Sequence, residues 1–143
     1  MDFTFSEDQR LFAATLRDIL SADCPPEAVR SSWEHPDARI HGLWETLGGT
    51  GVLGMTVPES HEGLGMDAVD LVLLLEELGY AACPEPVAEH AAVAIPILRD
   101  HAPGPLADEW LGRAADGSAV LTVGAPIDAF VLAAERADLA LLC

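Results

Sequence analysis

Positive charge is scarce in this chain: seven Lys plus Arg stand against 24 Asp plus Glu, for a formal charge of -17 over 143 residues. Such a surface repels nucleic-acid phosphates and anionic membranes, so neither is an expected partner. The acids are scattered through helix starts and loops without a continuous block, and they read as a solvated face rather than an interaction tail. Long apolar runs are also missing. The stretches 71–75 and 129–134 fall far short of the ~20 residues needed to cross a bilayer. Only three cysteines occur, Cys24, Cys83 and Cys143. Odd in number and far apart, they suit reduced thiols better than a disulfide framework or a zinc site. The opening residues Asp2, Glu7 and Asp8 place acids where a secretory leader needs a basic start and an apolar run, so the expected location is cytoplasmic. No P-loop, GxSxG elbow or EF-hand calcium loop is present.

What the chain does have is apolar content, at 50% enough to fill the core of a domain of this length. Ser6 followed by Gln9 is a capping-box signature, and Phe12, Leu16, Ile19 and Leu20 recur at helical spacing, which predicts an amphipathic helix over 7–22. Pro25 and Pro26 stop it and open a short second helix through Trp33, before His35-Pro36-Asp37 turns the chain. Ile40, Leu43, Trp44 and Leu47 predict a third helix over 39–47, ended by Gly48-Gly49. Asp67 is a candidate cap for a fourth helix so rich in leucine (71 and 73–75) that most of its faces should be buried. Pro86 opens an alanine-rich fifth helix, which Pro96 should kink or loosen. A sixth starts at Pro105 and ends near Gly112. Beyond Asp116-Gly117 the pattern turns β-prone, with candidate strands at 119–123, 130–132 and 139–142 whose unpaired edges could pair with another chain.

The motifs with chemical content are few. Gly49-Thr50-Gly51-Val52-Leu53-Gly54 matches GxGxxG, but a helix precedes it and Pro58 follows soon after, so the strand-turn-helix that cradles a dinucleotide is absent and the glycines read as a helix stop and a turn. His61-Glu62 begins like a zincin helix without its second histidine, and with Glu59 it reads as loop polarity; His35 and His41 receive the same reading. Glu76 and Glu77 are adjacent on a helix, so they point about 100° apart and cannot form a catalytic pair. At least one of them should face solvent or a basic partner. The alanines of the fifth helix admit either a closely packed neighbour or a slot for a ligand chain.

In order along the chain, several weak features together carry a resemblance. They are the opening Met1-Asp2-Phe3 with Ser6-Glu7 and Gln9, the Leu43-Trp44 to Leu47 helix, Gly51-Val52-Leu53-Gly54 leading to Pro58-Glu59, the Gly63-Leu64-Gly65 turn, and Glu76-Glu77-Leu78-Gly79. The sequence resembles the FAD-dependent acyl-CoA dehydrogenases. The fold this implies is mainly α, with a helical amino-terminal domain over 1–113 followed by the start of a β-barrel domain over 114–143. The resemblance implies α,β-dehydrogenation of an acyl-CoA thioester in fatty-acid or steroid catabolism, with hydride passing to FAD. It also implies a homo- or hetero-oligomer with another acyl-CoA dehydrogenase subunit, and electron-transfer flavoprotein as acceptor. The alternative is a non-catalytic partner subunit or a fragment that completes another dehydrogenase chain.

On the same resemblance the fifth helix lines the acyl pocket. Val87, Ala88, Ala91, Ala92 and Ile95 then shape its depth, with small alanines suiting a bulky or branched group such as a steroid side chain. Leu121 and Thr122 resemble a Leu-Thr segment beside the flavin, although Val123 and Gly124 stand where the family has Glu and Pro. Phe130, Val131 and Leu132 resemble a Trp-Ile-Thr segment packed on the isoalloxazine. Phe130 can keep an aromatic contact, while Leu132 cannot replace the threonine's hydrogen bond. The stretch that usually joins the two segments is missing between Ala125 and Ile127. The family's catalytic glutamate belongs to its carboxy-terminal domain and maps onto no residue here, so no catalytic residue and no metal ligand is assigned.

Overall fold

The computed structural model describes residues 4–36, 38–125 and 130–142. Met1 to Phe3 of the opening motif, Asp37 of the predicted turn, residues 126–129 and Cys143 lie outside the described residues. Two compact units emerge from the backbone. The first takes in the chain up to Leu43 together with Val69–Glu85; the second takes in Trp44–Ala68 and the chain from Pro86 onward.

In the first unit, helix α1 (Glu7–Asp23) begins as its sequence dictates. The Ser6 hydroxyl accepts the Gln9 N–H at 3.1 Å and the Gln9 side chain accepts the Ser6 N–H at 2.8 Å, so two orphan helix donors are satisfied. Its buried stripe is Ala13, Leu16 and Leu20, at spacings of three and four. Helix α2 (Pro26–Ser32) starts on a proline, whose missing N–H costs nothing in a first turn, and it ends one residue before the predicted Trp33.

Helix α4 (Val72–Tyr80) packs along α1 and corrects two expectations. It begins five residues after Asp67 and carries no side-chain cap. Its burial is also one-sided: Leu71, Leu74 and Leu78 are inside, whereas Val72 is exposed and Tyr80 is 90% exposed. Each buried leucine contributes about 2 kcal/mol of transfer free energy. Of the adjacent glutamates, Glu76 faces solvent. Glu77 is buried and receives both arms of Arg17, one at 2.8 Å, and that pairing holds its carboxyl below the usual carboxylate range. Buried Glu85 likewise meets the Ile40 N–H at 3.3 Å and Arg39 at 3.6 Å.

Helix α3 (Leu43–Gly49) starts four residues later than predicted and runs through the two glycines expected to stop it. From Trp44 onward it belongs to the second unit. Turns follow α3, with no strand before Gly49 and no helix directly after Gly54, as the reading of the GxGxxG match required. The loop is stitched back on itself: Leu64 N–H donates to Gly54 O, Gly65 N–H to Val57 O and Met66 N–H to Met55 O, at 3.2, 2.8 and 2.9 Å. A short 3₁₀ turn, Glu59–His61, lies within it, and His61 meets Asp108 at 3.0 Å.

The predicted fifth helix is a π-helix, Ala88–Ala94, that passes into α5 (Ile95–His101); α6 (Gly104–Ala115) follows and is longer at its end than expected. Strands β1 (Leu121–Gly124) and β2 (Leu139–Leu142) pair in parallel, Leu121 opposite Leu139. Residues 130–132 are not a strand; they lead into a turn and a 3₁₀ segment, Ala134–Arg136. Val57, Ile95, Leu98, Leu111, Ala114 and Leu121 are among the residues of this unit's core.

Candidate functional site

The π-helix follows from the placement of Pro96. A proline brings no N–H, so some carbonyl in the preceding turn must find another donor. Where α5 begins, the Ile95 N–H reaches back five residues to the His90 carbonyl. In that register the carbonyl deprived by Pro96 is that of Ala91, and the Thr56 hydroxyl donates to it at 3.1 Å. Thr56 is 2% exposed, and its own carbonyl accepts from Arg99 Nη1 at 3.0 Å. Removing that hydroxyl leaves a buried acceptor unpaired. Thr56→Val is therefore expected to cost about 1–3 kcal/mol in urea unfolding, whereas Thr56→Ser keeps most of the stability.

A second clamp holds the same turn. The His90 ring is completely buried, Nε2 donating to the Ala114 carbonyl at 3.1 Å and Nδ1 accepting the Leu121 N–H at 3.0 Å. These bonds require the neutral imidazole with its proton on Nε2, and burial pushes its pKa down to about 4. The Trp44 ring meets it edge-on, with centroids 5.2 Å apart, and donates its own N–H to the Gly117 carbonyl at 2.8 Å. The π-helix is thereby tied to α6 and to β1.

This register decides which side chains reach the surface. A π-helix has more residues per turn than an α-helix, so Val93, five residues on, comes round to the side of Ala88, where α spacing would carry it well past. Both are exposed, and with Glu89, Val123, Ala125, Phe130 and Leu132 they line a half-open hollow of about 320 Å³. Of the residues read from the sequence, the hollow brings together Ala88, Phe130 and Leu132. Val87, Ala91 and Ile95 lie in the interior at 1, 0 and 0% exposure, and Ala92 is half-buried beside the hollow's lining. Leu121 and Thr122 have no exposed surface, and the Thr122 hydroxyl donates to the Leu132 carbonyl at 2.6 Å. Glu89, Val93 and Val123 escaped the sequence reading. The one signal for Glu89 and Val93 was Pro96, whose effect on helix register was foreseen as a kink rather than as a change of face.

Among its described lining residues the hollow is apolar apart from Glu89, and none of them is basic. Among the described residues, no group of three or more His, Cys, Asp or Glu is placed to hold a metal ion. No described helix is long and apolar enough to cross a membrane.

Comparison with known proteins defines the class. The family profile "Acyl-CoA dehydrogenase, N-terminal domain" matches residues 6–118, and the chain belongs to the acyl-CoA dehydrogenase family. Among curated relatives, acyl-CoA dehydrogenase FadE27 of Mycobacterium tuberculosis is 29% identical over 123 residues, covering 86% of this chain and 33% of its own length. The mitochondrial long-chain specific acyl-CoA dehydrogenase of Sus scrofa is 26% identical over 98 residues, covering 68% of this chain and 22% of its own length. Among solved structures, the ChsE4-ChsE5 complex from Mycobacterium tuberculosis matches with a TM-score of 0.79 and 29% identity, over 86% of this chain and 34% of the matched one. A Bacillus anthracis acyl-CoA dehydrogenase complexed with FAD shares the fold, with a TM-score of 0.69 at 24% identity over 81% of this chain and 20% of its own. The chain thus spans between about a fifth and a third of the length of these relatives.

Proposed function

We propose that this chain forms the acyl-binding helical wall of an acyl-CoA dehydrogenase-type flavoprotein assembly acting on acyl-CoA thioesters in fatty-acid or steroid catabolism. The observation that carries it is the hollow where Ala88 and Val93 of the π-helix meet Phe130, Leu132 and Val123, an apolar surface suited to an acyl chain. In this reading residues 1–113 act as the helical domain and 114–143 as part of a β-domain, and the protein works in the cytoplasm. A matched structure described as a steroid ACAD, 28% identical with a TM-score of 0.75, supports the bulky end of the substrate range.

In this family FAD accepts the hydride. The side chains described here fit it poorly on their own: Thr122 is buried with its hydroxyl spent on Leu132, Leu132 offers no side-chain donor, and Phe130 supplies an aromatic surface at 86% exposure. The chain's own part is to bind the acyl group and exclude water along one wall. The rest of the site would come from a partner acyl-CoA dehydrogenase subunit, with electron-transfer flavoprotein taking the electrons onward. The engaged Thr122 hydroxyl also favours a second reading, a non-catalytic subunit that completes or stabilises another dehydrogenase chain.

The visible spectrum tests the shared site. After incubation with FAD and gel filtration, this chain alone should emerge colourless, and co-purification with a full-length acyl-CoA dehydrogenase subunit of the same organism should raise flavin retention. Stoichiometric flavin on the isolated chain would overturn the shared site, and no gain on mixing would count against the partnership. Bleaching of the flavin by an acyl-CoA that needs an intact hollow here separates the acyl-binding wall from a merely stabilising partner.

A further inference from the structure

We infer that Glu89 sets the substrate class of the hollow, favouring acyl groups that carry a hydroxyl away from the thioester and refusing those that end in a carboxylate. This rests on the reading of the hollow as the acyl-binding surface. The π-helix places Glu89 on its lining, between Ala88 one residue before it and Val93 four residues after it. The other walls, Val123, Phe130 and Leu132, offer aliphatic and aromatic carbon. A ligand body that fits must be largely apolar, and among the described lining residues it finds one charged group, Glu89.

The carboxylate is free to act on a ligand. Its side chain has no hydrogen bond or ion pair with another described side chain. Two arginines of the same unit are engaged elsewhere: Arg99 holds Asp100 through two bonds at 2.6 and 2.7 Å, and Arg113 lies 4.4 Å over the Trp110 ring. No arginine is among the described residues that line the hollow. An ionised carboxylate only accepts hydrogen bonds, so it rewards a hydroxyl on the ligand and finds nothing to bind in a plain hydrocarbon. A second carboxylate brought against it meets like-charge repulsion.

The test titrates the complex of this chain with its partner acyl-CoA dehydrogenase subunit at pH 7 by calorimetry with three thioesters of matched length: lauroyl-CoA, its ω-hydroxy derivative and its ω-carboxy counterpart. The hydroxy compound should bind about tenfold tighter than lauroyl-CoA, and the carboxy compound about tenfold weaker. Glu89→Gln keeps an acceptor but removes the charge, so the penalty on the carboxy compound should vanish while part of the hydroxyl preference survives. Glu89→Ala should abolish both. Circular dichroism of the two variants should match that of the unmodified chain, because the side chain has no partner among the described residues. Equal affinity for the three thioesters, or unchanged ratios in Glu89→Gln, would overturn the assignment of Glu89 and leave the acyl-binding wall standing. If none of the three binds, the hollow is not an acyl site, and the proposed function fails together with the inference.

Discussion

Between pH 6.5 and pH 4 the unmodified protein should lose about 3 kcal/mol of folding stability relative to His90→Gln, measured as the difference between their urea-unfolding free energies. The sign follows from the hydrogen bonds. His90 accepts the Leu121 N–H on Nδ1 and donates from Nε2 to Ala114 O, so only the neutral ring fits. A proton on Nδ1 would set two donors face to face inside a site with no exposure. The folded pKa of about 4 lies below the ordinary value of 6.5, so the folded protein binds fewer protons than the unfolded chain throughout that window. His90's contribution is complete above the unfolded value, drains away as pH falls toward the folded one, and changes no further below it. Glutamine offers one acceptor and one donor in a similar span without titrating there, which makes it the proper reference. Relief of repulsion among 24 acidic residues acts in the opposite direction on acidification, but equally in both proteins, and it cancels in the difference. His90→Leu, by contrast, should be destabilised at every pH, because it abandons a buried N–H and a buried carbonyl together, at about 1–3 kcal/mol each.

The lesson for reading the sequence is in that same histidine. Nothing in the residues around His90 marks it: it sits in an alanine-rich helix, and its partners lie 24 and 31 residues further on. Local patterns were read well where the controlling physics is local. The Ser6–Gln9 box, the stripe of α1 and the proline start of α2 all depend on neighbours within a few residues. Reading failed where distant groups decide. Residues 130–132 have strand-like side chains, yet the Thr122 hydroxyl takes the Leu132 carbonyl and the segment turns instead. The resemblance put Val87, Ala88, Ala91, Ala92 and Ile95 on a pocket face, but Pro96 and Thr56 impose a π register in which Ala91 and Ile95 are buried and Val93 is exposed. Family resemblance supplied the fold, and it named three of the residues that share the hollow; the carboxylate among its lining needed the three-dimensional register.

Gly63→Ala should be the most damaging single-methyl change in the chain, with a loss of more than about 3 kcal/mol and little folded protein recovered. The reason is space. A Cβ at residue 63 would come within 2.1 Å of the Val57 carbonyl oxygen and 2.5 Å of its carbon, so backbone and not a flexible side chain would have to move. The Val57 carbonyl is already bonded to the Gly65 N–H at 2.8 Å, and displacing it would open the stitched loop that also holds Met66 to Met55. Gly54→Ala should behave similarly, since its added carbon would lie 2.7 Å from the Cα of Ala115 at the end of α6, where Ala114 already receives the His90 bond. Gly49→Ala is the control: nothing lies within 4 Å of the added carbon, and at the end of α3 the change should be neutral or slightly stabilising. Urea midpoints of the three variants separate these cases. Equal midpoints for Gly63→Ala and Gly49→Ala would mean that the loop from 54 to 66 does not pack as tightly as its distances require. The ranking also explains why the Gly51 to Gly65 stretch carried the family resemblance: two of its glycines are places where a main chain passes too close for any side chain, a constraint that belongs to the fold of this domain and reaches the site only through the elements it braces.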